Sequence, residues 1–465
     1  MRNQNEDAEC PVYRLSVDGT LLGDDLLSAL QPFSLHRTFD GASQLTLSFD
    51  CVDPDTMDYR IVNEAMFLPG AEVSLWAGYG GTLMHQGYFR IKSRLPKYRP
   101  DGVTMDVEAF DALDEFIADQ NGRLVQGVST HADAIKEVLD RDYPQMGYLL
   151  MPSKAKKGDR FKEVLTSDLL WLKHMAIADG YAYPQVWSDE QLMVIEADAR
   201  ERLGDEPFAG CHRKQRRNNL VYLPLSTAYG LIEPVTLWYS LKGESDWESG
   251  PDIVESTSGM PTALEVYGWS NRLGTRALVR AIVEYASGVP RLVEITDDWQ
   301  GDKWAREQGI KAEIKSGAAL KFYALGEGTQ DVESGKNKTR NQKGVLVAGE
   351  AHRAAREVLS AGALVHTEED VVDFAMRWFL QRAAGYLGGQ GAISNVPGAE
   401  LFGPNQIHRI RGVVPQHEGL YVWKTASHTW GEDRHEVQMS FQKLVEEKDL
   451  TTNGAAPTKQ IREVA

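Results

Sequence analysis

One near-repetition constrains this chain more than any other feature. The segment His85-Gln86-Gly87-Tyr88-Phe89-Arg90-Ile91-Lys92-Ser93 is echoed near the C-terminal end by His417-Glu418-Gly419-Leu420-Tyr421-Val422-Trp423-Lys424-Thr425. Each copy follows an apolar step with Gly and Pro, Leu68-Pro69-Gly70 in the first and Phe402-Gly403-Pro404 in the second. Phe89, Ile91, Ser93 and Leu95 alternate with Tyr88, Arg90, Lys92 and Arg94, the period-2 pattern of a strand with one buried face. The next strand sets Met105, Val107 and Ala109 against Thr104, Asp106 and Glu108. Its later counterpart sets Val437, Met439 and Phe441 against Glu436, Gln438 and Ser440. Two such copies predict a duplicated antiparallel β-domain.

The rest of the chain fits around them. Tyr13, Leu15 and Val17 alternate before an Asp18-Gly19 turn, and 33–39 and 45–49 flank Asp40-Gly41, a hairpin signal. These strands and 66–111 predict a first barrel over 1–118. Helical spacing then takes over. Ala132, Ile135, Val138 and Leu139 share a face behind Ser129 or Thr130 as caps. Leu169, Leu172, Met175 and Ala176 form a stripe opened by Thr166, Ser167 or Asp168 and stopped at Gly180. With short strands at 181–186 and 192–195, residues 119–200 read as a small α/β domain. Residues 201–345 read as the first part of a second barrel, with strands at 220–225, 235–241 and 263–269. That region also has a polar loop at 243–259 and a polar insertion, with a helix at 302–316 and a loop at 326–343. Helices at 348–361 and 368–386, the second closed by Gly385, Gly388 and Gly389, make 346–397 a helical segment. Residues 398–445 complete the second barrel, and 446–465 is a polar tail, expected to be dispensable for folding. The expected fold class is α+β, mostly β: two antiparallel barrels, a small α/β domain and a helical connecting region.

Composition removes several function classes. With 50 Lys and Arg against 67 Asp and Glu the net charge is −17, which disfavours general attraction to nucleic acid or to an anionic membrane. Cys10, Cys51 and Cys211 are an odd, scattered set with no CxxC pair, against a disulfide framework or a zinc ribbon. The N-terminus carries Glu6, Asp7 and Glu9 and no apolar run, so it does not read as a signal peptide. The most apolar stretch, 221–241, is broken by Pro224, Glu233 and Pro234 and does not read as a membrane span. Cytoplasmic synthesis without membrane insertion is expected.

The candidate chemical motifs read as structural. Gly78-Tyr79-Gly80-Gly81 and Gly326-Glu327-Gly328 lack the strand-to-helix context of a phosphate loop, and Gly335-Lys336 is followed by Asn337. His85 and His417 read as turn residues, since His428 and His435 complete no regular ligand spacing. Carboxylates abound, as at Asp297-Asp298 and Glu368-Glu369-Asp370, but no pair is singled out and no nucleophile motif accompanies a histidine. The basic block from His212 to Arg217 reads as a solvated loop or a subunit contact. Trp238, Trp247, Trp269, Trp299 and Trp304 read as core or interface. No catalytic residue, metal or cofactor is expected, and the chain is not expected to be an enzyme.

The stretch from Phe67-Leu68-Pro69-Gly70 to Asp111 resembles the N-terminal barrel of baseplate hub proteins, the late control protein D family of contractile phage tails. Ser167-Asp168-Leu169-Leu170 to Gly180-Tyr181, Ala263-Leu264-Glu265-Val266-Tyr267-Gly268-Trp269, the helix from Glu368, and 412–441 are similar to later blocks of that family. The resemblance implies two tail-tube-like barrels per subunit, with Pro69, Gly70, Gly87, Asp111, Gly412 and Gly419 as a structural barrel signature. It also implies a homotrimer in the tail baseplate of the virion, beside other baseplate proteins. That trimer would join the tail tube protein to a central spike protein, expected to be separate because only about 20 residues follow the second barrel. Three copies present six barrels to a hexameric tube and a three-fold axis to the spike. DNA would pass through without specific binding. Asp106, Glu108 and Glu436, opposite the apolar faces, are the candidate lumen-facing acids, repelling phosphates over about 8 Å at physiological salt. Type VI secretion spike proteins and contractile toxin-delivery particles contain a similar module, so a related injection or secretion apparatus is an alternative. A tail-associated peptidoglycan hydrolase is another, with room only in 273–386, and a carbohydrate-binding β-protein is a third.

Overall fold

The structure, a computed structural model, describes residues 10–52, 59, 61–62, 64–100, 102–153, 158–162, 164–241, 245–255, 387–415, 417–431 and 433–444, together with the backbone of strands at 263–270, 275–286, 289–297, 320–321 and 356–362. The chain divides into two compact units, Met1–Asp252 with Gly389–Phe441, and Ile253–Gly388 with Gln442–Ala465. It is an α+β chain, mostly antiparallel β.

In the first unit, β1 (Pro11–Val17) turns through Asp18 and Gly19, at φ 47° and 77°, into the short β2 (Thr20–Leu21). Positive φ at both positions is what an Asp-Gly turn supplies. After α1 (Asp24–Ala29) come β3 (Phe33–Thr38), β4 (Gln44–Asp50), β5 (Glu72–Tyr79), β6 (Thr82–Arg99) and β7 (Gly102–Phe110), in sheet order β3-β4-β7-β6-β5-β1-β2. Alternate residues of these strands, among them Leu35, Leu45, Leu47, Val73, Ile91 and Val107, bury one face as a continuous core. Each such side chain contributes about 1.5–3 kcal/mol.

Alternation along β6 is interrupted. Its register with β7 slips between Ile91 and Ser93, leaving Lys92 as the extra residue of a bulge. Ser93 and Leu95, expected on the face of Phe89 and Ile91, therefore point away from the core, and Leu95 is 57% exposed. Arg94 takes the core side, opposite Val107, and donates to the carbonyls of Val62 and Glu64 at 3.3 Å each.

The α/β region follows as α2 (Leu113–Ala118), β8 (Arg123–Val128), α3 (His131–Asp142), β9 (Gly147–Leu150), β10 (Gly158–Lys162), α4 (Asp168–Asp179), β11 (Gln185–Ser188), α5 (Asp189–Leu203), β12 (His212–Lys214), β13 (Asn218–Tyr222) and α6 (Leu225–Gly230). Thr130 and Asp133 form a capping box at the start of α3, and Ser167 caps α4, which ends on Gly180 at φ 73°. The expected strand at 192–195 is instead the middle of α5. Ser188 accepts from the Gln191 N–H, and Asp189 and Glu190 fill the acidic first turn, so local start signals outweigh the short apolar run. The sheet order β11-β13-β9-β12 carries this region past residue 200, to Tyr222.

The remaining strands are β14 (Thr236–Trp238), β15 (Trp247–Glu255), β16 (Ala263–Ser270), β17 (Thr275–Ala286), β18 (Val289–Asp297), β19 (Leu320–Lys321), β20 (Arg356–Gly362), β21 (Leu387–Ser394), β22 (Ile407–Arg411), β23 (Gly419–Trp430) and β24 (His435–Lys443). In the second unit, β19-β18-β17-β16-β20 form a separate five-stranded sheet. Three expectations are corrected here. The polar stretch 243–259 contains β15, anchored by the buried Trp247. The second half of the helix expected at 348–361 is β20, a partner of β16, so pairing overrides helical spacing. Gly388 and Gly389, expected to end a helix, lie in β21. A Cβ at Gly389 would fall 2.7 Å from the Phe441 ring, so glycine there permits close strand approach. The helices expected at 302–316 and 368–386, the loop at 326–343 and the tail at 446–465 lie outside the described residues.

The duplication holds at the level of register, with one constant offset along the central strand that carries Gly87 onto Gly419 and Ser93 onto Thr425. Gly87 pairs with Leu75 as Gly419 pairs with Ile410, and Arg90 with Glu72 as Val422 with Ile407. Ile91 exchanges backbone hydrogen bonds with Gly70 and Ala71, and Trp423 does the same with Asn405 and Gln406. The Ser93 hydroxyl donates to Glu108 at 2.9 Å, and the Thr425 and Ser440 hydroxyls meet at 2.6 Å. Core volume is exchanged across the same place: Leu45 lies beside Ala109 in one repeat, Gly389 beside Phe441 in the other. Both repeats share one sheet, ordered β15-β21-β24-β23-β3-β4-β7-β6-β5-β1-β2, with β22 and then β14 attached to β23.

Gly87 and Gly419 sit at φ 142° and 145°, a conformation that side chains resist. Gly87→Ala and Gly419→Ala are each expected to destabilise by about 1–3 kcal/mol. Gly41→Ala, at ordinary φ with only a 3.6 Å neighbour, serves as the neutral control. Denaturant midpoints equal to wild type in both repeats would remove the conformational role assigned to these glycines.

Candidate functional site

The feature that sets this sheet apart is the seam between its repeats, where β3 of the first lies antiparallel to residues 425–430 of β23. On the face away from the core, His36 Nδ1 and Ser427 Oγ meet across it at 2.6 Å. On the core side Trp430 stacks on Phe33 with ring centroids 5.3 Å apart. Next to that pair, the buried Arg37 donates to the Gln86 carbonyl at 3.0 Å and to Gln86 Oε1 at 2.7 Å, and it reaches the Phe402 carbonyl of the second repeat. Burial lowers the Arg37 pKa to about 10, opposed by the charge of Asp111, so the guanidinium stays protonated at neutral pH. Three sets of contacts therefore lock the repeats together.

A second chain of polar groups crosses the same seam. Tyr79 Oη lies 2.6 Å from His435 Nδ1, His435 Nε2 lies 3.1 Å from His428 Nδ1, and His428 Nε2 lies 2.7 Å from the Phe402 carbonyl. A carbonyl only accepts, so His428 carries its proton on Nε2 and accepts at Nδ1. His435 must then donate from Nε2 and accept from the tyrosine. Each neutral ring thus has one donor and one acceptor in use. Burial holds both imidazoles neutral, pushing His435 down to about 3 and His428 well below the ordinary value.

The signature residues are backbone devices. Gly70, at φ 100°, ends the Leu68-Pro69-Gly70 turn and donates to the Ile91 carbonyl at 2.8 Å. Gly412, at φ 82°, comes so near the Tyr239 carbonyl that an added Cβ would fall 2.0 Å from its oxygen. Asp111 accepts from the Ser43 and Leu113 N–H groups at 2.9 Å each, tying the β3–β4 turn to the start of α2. Burial raises its pKa to about 6, against the opposing pull of those hydrogen bonds and of Arg37.

Asp106, Glu108 and Glu436 lie on strand positions alternating with core residues. Asp106 is paired with Lys97 and accepts from Ser48 at 2.7 Å, and Glu436 is paired with Arg434 at 3.0 Å. Glu108 accepts from Ser93. Two of the three thus carry a cation beside them, which shortens the reach of their charge. Four residues of the basic block have acidic partners: Arg213 pairs with Glu196, Lys214 with Asp140, Arg217 with Glu72, and His212 meets Asp133. His212–Lys214 form β12, while Arg213, Arg216 and Arg217 stay exposed to solvent. His417 lies in a turn, but His85 does not: it is buried in β6 between Trp76 and Tyr88, and burial lowers its pKa to about 4. Among the described residues no group of His, Cys, Asp and Glu could hold a metal ion, and no helix is long and apolar enough to cross a membrane.

Nothing in the sequence joins Arg37, Gln86 and Tyr79 into one site, and His428 and His435 stand in it only as histidines without ligand spacing. One signal was present: at the offset between the repeats His435 takes the place of Val103, so a polar ring replaces an apolar residue at an inward position.

No protein-family profile and no curated protein sequence matches this chain. Solved structures do. The tail protein from Neisseria meningitidis MC58 aligns at TM-score 0.53 and 11% identity over 93% of this chain and 96% of that one. The prophage MuSo2 43 kDa tail protein from Shewanella oneidensis aligns at TM-score 0.54 and 9% identity over 93% and 98%. At these identities the likeness establishes the architecture: the chain has the fold of these tail proteins along nearly its whole length.

Proposed function

We propose that this chain is the structural hub of a contractile phage tail baseplate, a homotrimer that joins the hexameric tail tube to a three-fold central spike. The observation that carries this reading is the register-matched pair of repeats fused edge to edge through β3 and β23. A hexameric ring of a tube protein needs six equivalent barrel-like units. Three chains with two repeats each supply six, while keeping the three-fold symmetry that a spike requires. The similarity to two tail proteins over nearly their full lengths supports the same role. Its partners are then the tail tube protein, a central spike protein and other baseplate proteins. Its place is the virion, and DNA passes through the ring without being specifically bound. Asp106, Glu108 and Glu436 are proposed to face that channel, with Lys97 beside Asp106 and Arg434 beside Glu436 moderating the acidity of its wall.

Cryo-electron microscopy of purified particles tests the reading. Three copies at the distal end of the tube are expected. Six copies, or copies repeating along the tube, would make the chain a tube protein and overturn the hub assignment.

A further inference from the structure

The internal seam leaves open the two edges that correspond to it. β23 pairs with β22 at 407–410 and then, on the same side, with β3 along 425–430. β6 pairs with β5 only as far as Arg90, and among the described residues no strand continues on that side along 93–99. At the junction of the repeats, β3 has both β4 and β23 as neighbours. β15, which holds the same place in the order β15-β21-β24-β23 and ends the sheet, has β21 alone among the described residues. Residues 93–99 of β6 and residues 247–252 of β15 thus correspond to the two halves of the seam.

We infer that these edges pair between chains: residues 93–98 of β6 in one copy lie antiparallel to β15 of the next, head to tail. This rests on the hub reading above and names the surface that closes its ring. Side chains support the correspondence. Tyr98 stands opposite Val103, and their counterparts in the second repeat, Trp430 and His435, stack with centroids 4.8 Å apart. Both Tyr98 and Trp430 face the core side of their strand, yet Trp430 is 1% exposed beneath Phe33 and Tyr98 is 66% exposed. Tyr59 meets the Tyr98 ring edge-on with centroids 6.4 Å apart but leaves it mostly exposed, because the strand that covers its counterpart belongs, for Tyr98, to another molecule. Leu95, 57% exposed, takes the place of Ser427, which bonds His36 across the seam.

Pro96 takes the place of His428 and offers no N–H. The joint between chains therefore has fewer ladder bonds than the internal one, and the same proline discourages stray pairing of the edge before assembly. A heterologous contact of this kind closes into a ring when its rotation divides a full turn. If each inter-chain joint repeats the rotation of the internal seam, internal and inter-chain joints alternate around six repeats.

The test uses the full-length chain in a Cys10→Ser background. Leu95→Cys protein is mixed with Ser249→Cys or Asp252→Cys protein and treated with a short bismaleimide. Cross-linked dimers are expected from these mixtures and not from Leu95→Cys mixed with Leu170→Cys, a site on α4. In parallel, Tyr98→Glu is expected to raise the dissociation constant of the trimer at least about 100-fold, read by light scattering across a concentration series. The melting temperature of the monomer should stay near wild type, since Tyr98 is exposed there. A wild-type trimer that yields no 95–249 or 95–252 cross-link and survives Tyr98→Glu overturns this interface while leaving the hub reading intact. A wild-type chain that is monomeric at every concentration, with and without its spike, overturns both.

Discussion

Replacing Asp168 by alanine is expected to cost about 3–5 kcal/mol of stability, the loss typical of a buried charge left without its partner. The carboxylate opens α4 and is 1% exposed, and it is shared by three groups. Arg123 donates from Nε to Oδ1 at 2.9 Å and from Nη2 to Oδ2 at 2.6 Å, Tyr143 donates from its hydroxyl to Oδ2 at 2.7 Å, and Lys162 contacts Oδ1. Arg123 keeps Asp119 and Asp142 as alternative partners. Among the described residues Lys162, whose side chain is fully buried, keeps only Asp119, through its carbonyl at 3.3 Å and its carboxylate at 3.9 Å. The loss therefore falls mainly on the lysine. That gives a second arm: Lys162→Met in the Asp168→Ala background should restore much of the stability, because an apolar chain replaces an uncompensated ammonium. Guanidinium titrations of both variants decide it. A single-variant loss below about 1 kcal/mol, the size of an exposed pair, would show that water reaches the cluster.

What could be read from the residues was whatever is local or periodic. Thr130 and Ser167 announce their helices because a hydroxyl must meet an orphan N–H, and Gly180 ends α4 because only glycine adopts that backbone readily. The duplication was legible through the shared Gly-apolar pattern, since Gly87 and Gly419 meet the same backbone demand. Non-local pairing was not legible. Nothing at Lys92 marks the bulge that reverses the faces of Ser93, Arg94 and Leu95, because its cause lies in the register of β7. The polar residues around β15 conceal a strand whose stability comes from β21. The glycines of β21 look like a helix stop because their partner ring, Phe441, is distant in sequence. The seam was least visible of all. Arg37, Tyr79, Phe402, His428 and His435 acquire a joint role only once two repeats share one sheet.

Acid is expected to destabilise this protein steeply above the pH at which ordinary carboxylates titrate. His85, His408, His428 and His435 are each at most 2% exposed. Burial lowers the pKa of each, to about 4 for His85, about 3 for His408 and His435, and well below normal for His428. In the unfolded chain each returns to about 6.5. For a base depressed by folding, stability is fully present above the unfolded value and is lost as pH falls toward the folded one. By pH 5.5 the unfolded state binds nearly one proton per histidine that the folded state does not, so between pH 7 and 5.5 the four together remove about 5 kcal/mol. Asp111, raised by burial to about 6, acts in the opposite direction, but one carboxylate returns only about 1 kcal/mol over that range. Against a typical total of about 5–15 kcal/mol the histidines dominate, and the seam chain supplies half of them. Denaturation curves at pH 7, 6.25 and 5.5 should show a stability slope that approaches about three protons at the acid end, four histidines less the opposing Asp111. His85→Phe should remove one of those protons and leave the protein at least as stable at pH 7, because neither His85 ring nitrogen has a partner. Stability that is flat or rising as pH falls from 7 to 5.5 would mean that the histidines are hydrated and that the dry seam described here does not form in solution.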